Sequence, residues 1–352
     1  MKILLMNNGY PSDVNPQYST YIKSIEQCIK SAHVNVDKIV LDTRFKSAIG
    51  KLLNYFKFYI CILCFNNYRD YDYIYVNNYP YYFFPLMLRI RSYPNIIIHW
   101  HGTEINPPNI KKKILNIFSY QFLPKTHTAI APSNYFAGQI IKRLGKKKIK
   151  NLMVSPSGGV NVELFTPKKS ENKGKVLVLG YASSIKTSKG IDFVVKLSEE
   201  LEFINRSSGK KVSISLIEYG AEKQRYSPKL IKNPNVKVFS PFPKDKMYKF
   251  YNSIDVLLFP TRRMAESLGL VGLEAMACGK PVVGTNNFSL QEYIISRKTG
   301  ELFELGNYDS FKKAVLKTIE HLDEYKPREL VLEKYSDRAV INQYKELFYG
   351  NK

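Results

Sequence analysis

Two glutamates with seven residues between them stand in residues 260–285, PTRRMAESLGLVGLEAMACGKPVVGT. Glu266 precedes a segment expected to enter a helix near Ser267, and Glu274 follows about two turns later on roughly the same face. The N–H groups and positive dipole end of a helix start suit an anion such as a diphosphate. The carboxylates could then accept hydrogen bonds from hydroxyls on either side of it. On spacing alone, the alternative is an acid stabilised by the helix dipole plus a solvent-facing glutamate.

The elements that must position these residues alternate between strand-like and helix-like runs. Strands are expected at residues 2–6, 34–41, 71–76, 95–100, 126–131, 175–180, 212–217, 236–239, 255–259 and 281–284. Helices are expected at residues 17–30, 45–65, 81–91, 110–122, 134–144, 191–203, 246–252, 268–277, 309–321 and 328–348. This alternation predicts an α/β fold with parallel sheets covered on both faces.

A break between two such α/β halves predicts two domains. Residues 154–167 are rich in Gly, Ser and Pro, and residues 168–175 are short and polar. We therefore expect domains at 1–165 and 166–335, with a final helix at about 336–352 packing back on the first domain. Ligands of open parallel sheets bind at the carboxyl ends of the strands. The loops of interest are residues 7–11, 99–104, 181–189, 218–220, 240–243 and 261–269.

Composition excludes several classes of protein. A chain of 352 residues with 44% hydrophobic and 24% charged residues is globular rather than disordered. Cys61 and Cys64 form a CxxC inside the apolar run FYICILCF, so buried free thiols are favoured over a metal or redox site. Reduced cysteines and a start that leads directly into a strand predict a cytoplasmic protein without a secretory signal. The apolar runs are too short to span a bilayer.

A net charge of +23 favours anionic partners, with lysines clustered at 111–113 and 142–150. A basic surface that is simply solvated and an anionic membrane surface or acceptor are both open explanations. Nucleic acid is not favoured, because no nucleic-acid-binding motif accompanies the charge. The aromatic and basic helix at 45–65 could lie peripherally on the inner face of the cell membrane, or pack on its sheet as an ordinary domain helix.

Residues 260–285 resemble the E-x7-E signature of retaining glycosyltransferases of family 4, which have the GT-B fold. Supporting stretches follow the order of that family: HWHGTE for an acceptor-side loop, SPSGGVNVELFTP between the domains, LGYASSIKTSKGID for a phosphate loop and NVKVFSPFPKDKMYKFYNSIDVLLFP before the signature. The resemblance is weakest in residues 1–95. It implies two Rossmann-like domains facing across a cleft, with the acceptor on the first and a nucleotide sugar on the second.

The resemblance also implies roles at matching positions. Glu274 would bind ribose hydroxyls, Glu266 would bind hydroxyls of the donor sugar, and Lys189 would neutralise the departing diphosphate. Four residues would offer backbone N–H groups to the sugar and diphosphate: Leu268, Gly269, Leu270 and Val271.

The resemblance further implies that residues 240–242, which include Phe242, would lie against the nucleobase. Gly9 would let the first-domain loop approach the phosphates, as glycine permits. His101 follows a strand and is a candidate for contact with the reacting sugar, with a structural role as the alternative. For His99 the structural role is favoured.

Several positions depart from the family pattern and leave the donor open. The Arg that usually precedes the Lys-Gly pair is replaced by residues 181–183, Tyr-Ala-Ser. Lys186, Arg262 or Arg263 could supply the second positive charge. A Gly-Asp-Gly-like turn reads Ile-Glu-Tyr-Gly at 217–220, and the loop after residue 285 lacks a usual glycine pair.

The resemblance implies transfer of a hexose-type sugar from a UDP- or GDP-linked donor to a saccharide or lipid-linked saccharide, with retention, in surface polysaccharide, capsule, lipopolysaccharide or glycolipid assembly. No cofactor or metal is expected, because a lysine and a helix start can stabilise the leaving charge. Two alternatives are a nucleotide-sugar hydrolase or epimerase of the same fold and a non-enzymatic basic protein of the membrane surface.

Overall fold

The structure, a computed structural model, describes residues 1–15, 18–45, 47–90, 93, 95–124, 127–168 and 176–350. The predicted linker residues 169–175 and the predicted element ends at 17, 91 and 126 lie outside these ranges. The chain forms two compact units, Met1–Gly159 with Asp337–Lys352, and Val160–Ser336.

The first unit contains a six-stranded parallel sheet in the order β2-β1-β3-β4-β5-β6. Its strands are β1 (Lys2–Asn7), β2 (Asn35–Val40), β3 (Tyr73–Asn77), β4 (Ile96–His99), β5 (His127–Ala131) and β6 (Ile149–Val154). Six of its helices lie between residues 20 and 144: α1 (Thr20–Ser31), α2 (Ala48–Cys64), α3 (Phe83–Ile90), α4 (Gly102–Ile105), α5 (Ile110–Gln121) and α6 (Asn134–Leu144).

The second unit contains a parallel sheet in the order β12-β11-β10-β7-β8-β9. Its strands are β7 (Leu177–Tyr181), β8 (Val212–Ile217), β9 (Val236–Phe239), β10 (Val256–Phe259), β11 (Val282–Thr285) and β12 (Gly300–Phe303). Its helices are α7 (Ile191–Glu199), α8 (Leu201–Ser208), α9 (Lys223–Ile231), α10 (Met247–Asn252), α11 (Leu270–Ala277), α12 (Tyr308–Glu320) and α13 (Pro327–Leu330), after which α14 (Asp337–Tyr349) belongs to the first unit.

Both sheets are covered on both faces, as the alternation predicts. In the first unit, Leu4 of β1 is buried in one core cluster and the next residue, Leu5, is buried in another. In the second unit, Val256 of β10 is buried in one cluster and Leu257 in another. Successive side chains of a strand point to opposite faces, so each sheet is the middle layer of an α/β sandwich.

The expected elements do not include β6, β12, α4 or α9. Edge strands β6 and β12 were not predicted, because β6 carries Lys150 and Asn151 on exposed positions and β12 begins with Gly300 and Glu301, residue types that are depleted in strands. Helix α9 was not predicted because Pro228 lies inside it. The helix expected at 328–348 is interrupted at Ser336, whose backbone is extended.

The stretch around residue 160 is structured, contrary to the linker expected over 154–167. Val160, Val162 and Phe165 are buried in a core cluster of the second unit together with residues of α11. The division between the units therefore falls at Gly159, whereas the sequence pattern places it at 165.

The CxxC prediction is wrong about burial. Cys61 and Cys64 are free thiols on exposed positions near the end of α2, while Cys28 and Cys278 are buried. The run FYICILCF is apolar on both sides of the helix, so its composition alone did not indicate which residues face the core. Among the described residues, no helix combines the length and apolar character needed to cross a membrane.

Each sheet has one topological switch point, which is a pair of neighbouring strands from which the chain continues in opposite directions along the sheet. In the first unit this point lies between β1 and β3, and in the second between β7 and β10. The loops after the carboxyl ends of such strands leave a crevice that ligands occupy in open α/β sheets. Gly9, Lys189 and Glu266 come from these loops, and His101 follows β4, the neighbour of β3; Phe242 follows the edge strand β9, and Glu274 lies within α11.

Candidate functional site

Lys189 and Glu266 form an ion pair that joins the loops following β7 and β10. The ammonium Nζ of Lys189 contacts Oε2 of Glu266, and about 12% of each side chain is exposed. The hydroxyl of Thr261 also donates to Oε2 of Glu266 at 3.2 Å. The Lys189 ammonium lies 5.7 Å from the centre of the Phe259 ring, so one side of the pair is apolar. The structure therefore brings these two predicted residues together.

Helix α11 begins later than the sequence pattern indicates. Its first residue is Leu270 and Gly269 is its N-cap, so Glu266 lies in the preceding loop and not on the helix. The prediction that Glu266 and Glu274 share a helical face is therefore wrong. Gly269 has a φ of 78°, and an added Cβ would lie 2.6 Å from Cε1 of Phe259. Glycine is required at this position, where the left-handed backbone brings the chain into the helix.

The first N–H groups of α11 have no partner within the helix, as in every α-helix. Leu270 and Val271 are half-buried at this end, whereas Leu268 and Gly269 are buried. The first turn of the helix carries no acidic residue. The predicted backbone donors thus lie around a helix end whose dipole favours an anion.

Glu274 is a half-buried carboxylate in the middle of α11. Its Oε2 accepts a hydrogen bond of 2.8 Å from the Tyr251 hydroxyl, and burial raises the pKa of Glu274 above its ordinary value. Burial and then the carboxylates of Glu274 and Glu266 raise the pKa of Tyr219. Both glutamates therefore act electrostatically on one partly exposed tyrosine in the loop after β8.

Two neighbouring arginines have different surroundings. The Arg262 guanidinium pairs with Asp192 at 2.8 Å and lies 4.3 Å from the centre of the Phe193 ring. Its backbone N–H donates to the carbonyl of Ser188 at 2.9 Å, so it fixes the loop that carries Lys189. Arg263 is half-buried, and its backbone N–H donates to the Thr261 hydroxyl at 3.4 Å. Because Arg262 is engaged within the protein, Arg263 is the better candidate for the second cation.

Phe242 is half-buried in an aromatic group after β9. Its ring centre lies 5.8 Å from that of Phe239 and 6.2 Å from that of Phe250. This packing fixes the ring and leaves part of it accessible. The contact with a nucleobase stays a prediction.

In the first unit, His101 lies just after β4 in an uncharged polar cluster. Its Nε2 is 3.0 Å from Oδ1 of Asn77, and its ring stacks on His99 with 4.5 Å between centres. The edge of Tyr21 approaches the His101 ring, with 4.7 Å between centres. Burial lowers the pKa of His101 to about 3, so the imidazole is neutral at physiological pH.

His99 is fully buried and has a structural environment. Its Nδ1 is 2.8 Å from the Tyr75 hydroxyl, which is 2.7 Å from the Tyr344 hydroxyl of α14. Burial and then the neighbouring His101 lower the pKa of His99 well below its ordinary value. The predicted structural role of His99 fits this network.

Glu104, which the sequence analysis did not single out, is a buried acid beside His101. Its Oε1 accepts a hydrogen bond of 3.1 Å from the backbone N–H of His101. Burial raises the pKa of Glu104 to about 8, against hydrogen bonds that lower it. The signal available in the sequence was a carboxyl three residues after His101 at the start of a helix, which is a common capping arrangement.

Gly9 is buried in the loop after β1. An added Cβ would lie 3.0 Å from Cζ of Tyr18 and 3.2 Å from Cβ of Ser19. The Gly9 carbonyl accepts a hydrogen bond from the Asn7 amide, and Asn7 accepts one of 2.8 Å from Asn78. The lack of a side chain thus accommodates this chain's own residues. Approach of Gly9 to a phosphate stays a prediction.

The second-unit arrangement offers one cation, two carboxylates and a helix start. Such a set can bind a polyhydroxylated diphosphate, with carboxylates accepting from hydroxyls and the positive groups facing phosphate oxygens. The sequence analysis missed Thr261 and Tyr251, which hydrogen bond to the two glutamates. Neither residue belongs to a recognisable spacing, because each reaches its partner only through the fold.

Comparison with known proteins agrees with this arrangement. Residues 163–330 match the family model described as Glycosyl transferases group 1. This stretch is therefore similar to the domain that the family model describes, and it makes up just under half of the chain. It contains Lys189, Glu266 and Glu274, and it corresponds closely to the second unit.

One curated relative is the capsular polysaccharide biosynthesis glycosyltransferase CapM of Staphylococcus aureus. The chain is 29% identical to it over 227 residues, which cover 59% of this chain and 57% of CapM. The chain spans about half to two thirds of the length of the curated relatives that it matches.

Two solved structures share the fold over almost the whole chain. The sucrose-phosphate synthase of Thermosynechococcus elongatus has a TM-score of 0.75 at 16% identity, with 99% of this chain and 98% of that chain covered. The Anabaena protein HepE, in complex with UDP and glucose, has a TM-score of 0.70 at 15% identity, with 99% and 100% covered. The fold class is therefore confirmed as α/β of the GT-B type, with two Rossmann-like units.

Proposed function

We propose that this protein is a retaining glycosyltransferase that moves a hexose-type sugar from a UDP- or GDP-linked donor to a saccharide or lipid-linked saccharide. The observation that carries the proposal is the Lys189–Glu266 pair beside the start of α11, which also carries Glu274. These groups lie within residues 163–330, which match the model of group 1 glycosyl transferases. A cation and a helix start next to two carboxylates suit a nucleoside diphosphate flanked by two sugars.

In the proposed reaction, the bond between the anomeric carbon and the diphosphate oxygen breaks, and its electron pair goes to that oxygen. A lone pair of the acceptor hydroxyl forms the new bond to carbon on the same face of the sugar. The hydroxyl proton passes to the departing diphosphate. Stabilisation of the leaving charge is then the main catalytic task, and Lys189 and the N–H groups of α11 supply it.

Each charged group of the second unit has a proposed role. Glu274 accepts hydrogen bonds from the ribose hydroxyls, and its bond to Tyr251 orients it. Glu266 leaves Lys189 when the donor binds and accepts from hydroxyls of the sugar, so the cation turns to the diphosphate. Arg263 is the proposed second cation, because Arg262 is bound to Asp192. The reaction as proposed needs no metal.

His101 of the first unit has a proposed role in hydroxyl recognition. Its pKa of about 3 makes it a neutral hydrogen-bonding group at physiological pH rather than a cation. Asn77 orients the ring through Nε2. A neutral imidazole suits a hydroxyl of the reacting sugar and would not attract a free phosphate.

The biological setting is proposed from the relatives. The name of CapM places that protein in capsular polysaccharide biosynthesis, and the HepE complex contains UDP and glucose. We propose surface polysaccharide or glycolipid assembly for this chain, with UDP as the first nucleotide to test. A cytoplasmic location stays a prediction from the sequence.

A thermal-shift panel followed by a transfer assay tests this function. A matching nucleotide sugar should raise the Tm, because a ligand that binds only the folded state stabilises it in proportion to RT ln(1 + [L]/Kd). Glu266→Ala and Glu274→Ala should lose the shift, whereas Glu202→Ala, on an exposed position of α8 in the same unit, should keep it. Unchanged ligand affinity in both site variants would refute the site.

Product analysis then separates transfer from the alternatives. If free sugar or an epimer is released and no tested acceptor is glycosylated, the protein is a hydrolase or an epimerase. No shift with any UDP- or GDP-sugar, together with no turnover, would favour a non-enzymatic binding protein.

A further inference from the structure

Helix α2 turns a long apolar stripe to solvent. Only Phe58 and Ile62 of its seventeen residues are buried. Five large side chains are exposed, with exposed fractions from 42% to 73%, and apart from the adjacent Leu52 and Leu53 they follow one another at three or four positions: Ile49, Leu52, Leu53, Phe56 and Ile60. This spacing defines one side of a helix. Of the two alternatives that the sequence left open for this helix, packing on the sheet accounts for Phe58 and Ile62 and leaves the exposed apolar side chains unexplained.

Helix α5 buries polar residues and exposes apolar ones, which is the reverse of the usual arrangement in a surface helix. Its buried residues are Asn116, Ser119 and Tyr120. Its apolar residues face outward, with Ile110 and Ile114 more than 60% exposed and two further side chains, Ile117 and Phe118, about half exposed. A helix packed only against its own domain buries its apolar side. The outward apolar side of α5 therefore requires another explanation.

Helix α3 lies between these two helices and continues their apolar surface. It packs against α2, and its Phe83 ring meets the Phe118 ring of α5 with 5.7 Å between centres. Tyr81, just before α3, accepts a hydrogen bond of 2.7 Å from Tyr59 of α2, and its ring lies 5.6 Å from the Lys112 ammonium of α5. Phe84 and Leu88 of α3 are more than half exposed. We call this continuous surface the α2–α3–α5 face.

The charges on the α2–α3–α5 face have one sign. None of its three helices contains Asp or Glu. Lys51 and Lys57 of α2, Arg89 of α3, and Lys111 and Lys113 of α5 are all on exposed positions. Apolar side chains mixed with basic ones are typical of surfaces that enter the interface of anionic membranes.

We infer that the α2–α3–α5 face docks the protein on an anionic lipid bilayer. The apolar side chains would enter the headgroup region and the lysines would pair with lipid phosphates. A second copy of the chain is the less suitable occupant, since a symmetric contact would bring this face against itself and oppose lysine to lysine. The inference rests on exposure and charge and does not depend on the proposed function.

Vesicle co-sedimentation of the full chain tests this inference. We expect binding to mixed phosphatidylcholine–phosphatidylglycerol vesicles at low salt and much weaker binding to pure phosphatidylcholine. Lys51→Gln/Lys57→Gln should weaken binding about fivefold for each lysine, because a basic residue near an anionic surface contributes about 1 kcal/mol. Leu52→Gln/Phe56→Gln should weaken it by about tenfold or more through lost apolar contact.

Matched controls lie on the second unit. Phe203→Gln/Ile231→Gln changes two apolar residues that are 45% and 59% exposed, and Lys229→Gln/Lys232→Gln removes two exposed lysines. Both controls should bind as the wild type does. All positions are exposed, so the Tm of every variant should stay near that of the wild type.

Three outcomes would overturn the inference. The first is no binding to anionic vesicles, and the second is equal loss in the face and control variants. The third is a dimer in sedimentation velocity that Leu52→Gln/Phe56→Gln converts to a monomer without any vesicle binding, which would make the face an interface between copies. Because binding is measured without a sugar donor, a failed transfer assay leaves this test intact.

Discussion

The two units place polar residues at equivalent points of their sheets but differ in charge. In the second unit, the loops after β7 and β10 meet through the Lys189–Glu266 ion pair, and Arg262 pairs with Asp192 beside it. In the first unit, amide side chains lie at the ends of β1 and β3, and the neutral His101 follows the neighbouring strand β4. Similar strand topology therefore supports a charged site in one unit and an uncharged polar cluster in the other.

The difference in charge matches the difference in the groups that the proposed reaction must bind. A leaving diphosphate develops negative charge, which a cation and a helix dipole stabilise. Neutral donors and acceptors can hydrogen bond to a hydroxyl without attracting an anion. Four substitutions test this contrast, beginning with the largest expected effect.

Replacing Lys189 by methionine should nearly abolish activity. Methionine keeps much of the length of the side chain but removes the charge that faces the proposed leaving group. We expect the rate of transfer to fall about 100- to 1000-fold, as when one preorganised stabilising group is removed. Steady-state kinetics with the donor found in the thermal-shift panel measures this.

Lys229→Met on α9 is the matched control for charge, since Lys229 is exposed in the same unit. It should retain the activity of the wild type. A Lys189→Met enzyme with kcat/KM within a few-fold of the wild type would show that the second unit's ion pair is structural.

Glu104→Gln should change how the stability of the protein depends on pH. Burial raises the pKa of Glu104 to about 8, so the folded state binds its proton more tightly than the unfolded state does. The stability that this proton contributes is complete below pH 4.5 and is lost as the pH rises through about 8. Glutamine should remove this loss, which is on the order of a few kcal/mol. Denaturant unfolding between pH 5 and 9 measures it.

Glu26 of α1 provides a control of opposite sign in the same unit. Burial alone would raise its pKa, but hydrogen bonds from Lys30 and Tyr10 bring it below the ordinary value. Its contribution to stability is present above pH 4.5 and is lost as the pH falls through the lowered pKa. Glu26→Gln should therefore leave the slope above pH 5 unchanged. If the free energy of unfolding depends on pH in the same way in the wild type and in Glu104→Gln, Glu104 is not protonated in the folded protein.

Gly269→Ala should disturb the start of α11. A methyl group would meet the Phe259 ring at 2.6 Å and the Tyr293 hydroxyl at 2.9 Å, with φ at 78°. We expect a loss of stability of about 2–3 kcal/mol and a weaker affinity for nucleotide. Thermal unfolding with and without nucleotide measures both effects.

Gly209→Ala separates backbone strain from crowding. Gly209 has a φ of 63° and no atom within 4 Å of an added Cβ. Its substitution should cost only about 1 kcal/mol and leave nucleotide affinity unchanged. If both substitutions lower the free energy of unfolding equally, crowding against Phe259 and Tyr293 adds nothing to the cost of Gly269→Ala.

The candidate residues of the second unit are easier to recognise in the sequence than those of the first, for a physical reason. Glu266, Gly269 and Glu274 lie within nine residues of one another, so one local pattern shows them together. In the first unit, His101 contacts Asn77 of β3 and Tyr21 of α1, which are distant from it in the sequence. The spacing of residues along the sequence cannot predict contacts of this kind.

The same limit explains the errors. The start of α11 was placed too early because its apolar pattern begins at Leu268, whereas the left-handed Gly269 delays the helix. The sequence could not decide between a membrane-surface helix and an ordinary domain helix at 45–65, because the apolar residues of α2 occur on every side of the helix. Which side faces the core is decided by the neighbouring strands and α3.

Tyr251→Phe is expected to have the smallest effect. It removes the hydroxyl that donates to Glu274 at 2.8 Å and leaves the ring in the core. Loss of this hydrogen bond should raise the pKa of the carboxyl further and let the side chain turn. We expect nucleotide affinity to fall about five- to tenfold, the equivalent of one hydrogen bond. Calorimetric titration with the nucleotide measures this.

Tyr325→Phe tests whether the effect is local, because Tyr325 makes a similar hydrogen bond of 2.9 Å to Glu301 of β12. Both tyrosines are buried, and both substitutions should lower the free energy of unfolding by about 1 kcal/mol. Only Tyr251→Phe should weaken nucleotide binding. If both variants bind nucleotide like the wild type, Glu274 is not the ribose-binding residue, and the charged character of the second unit serves its stability alone.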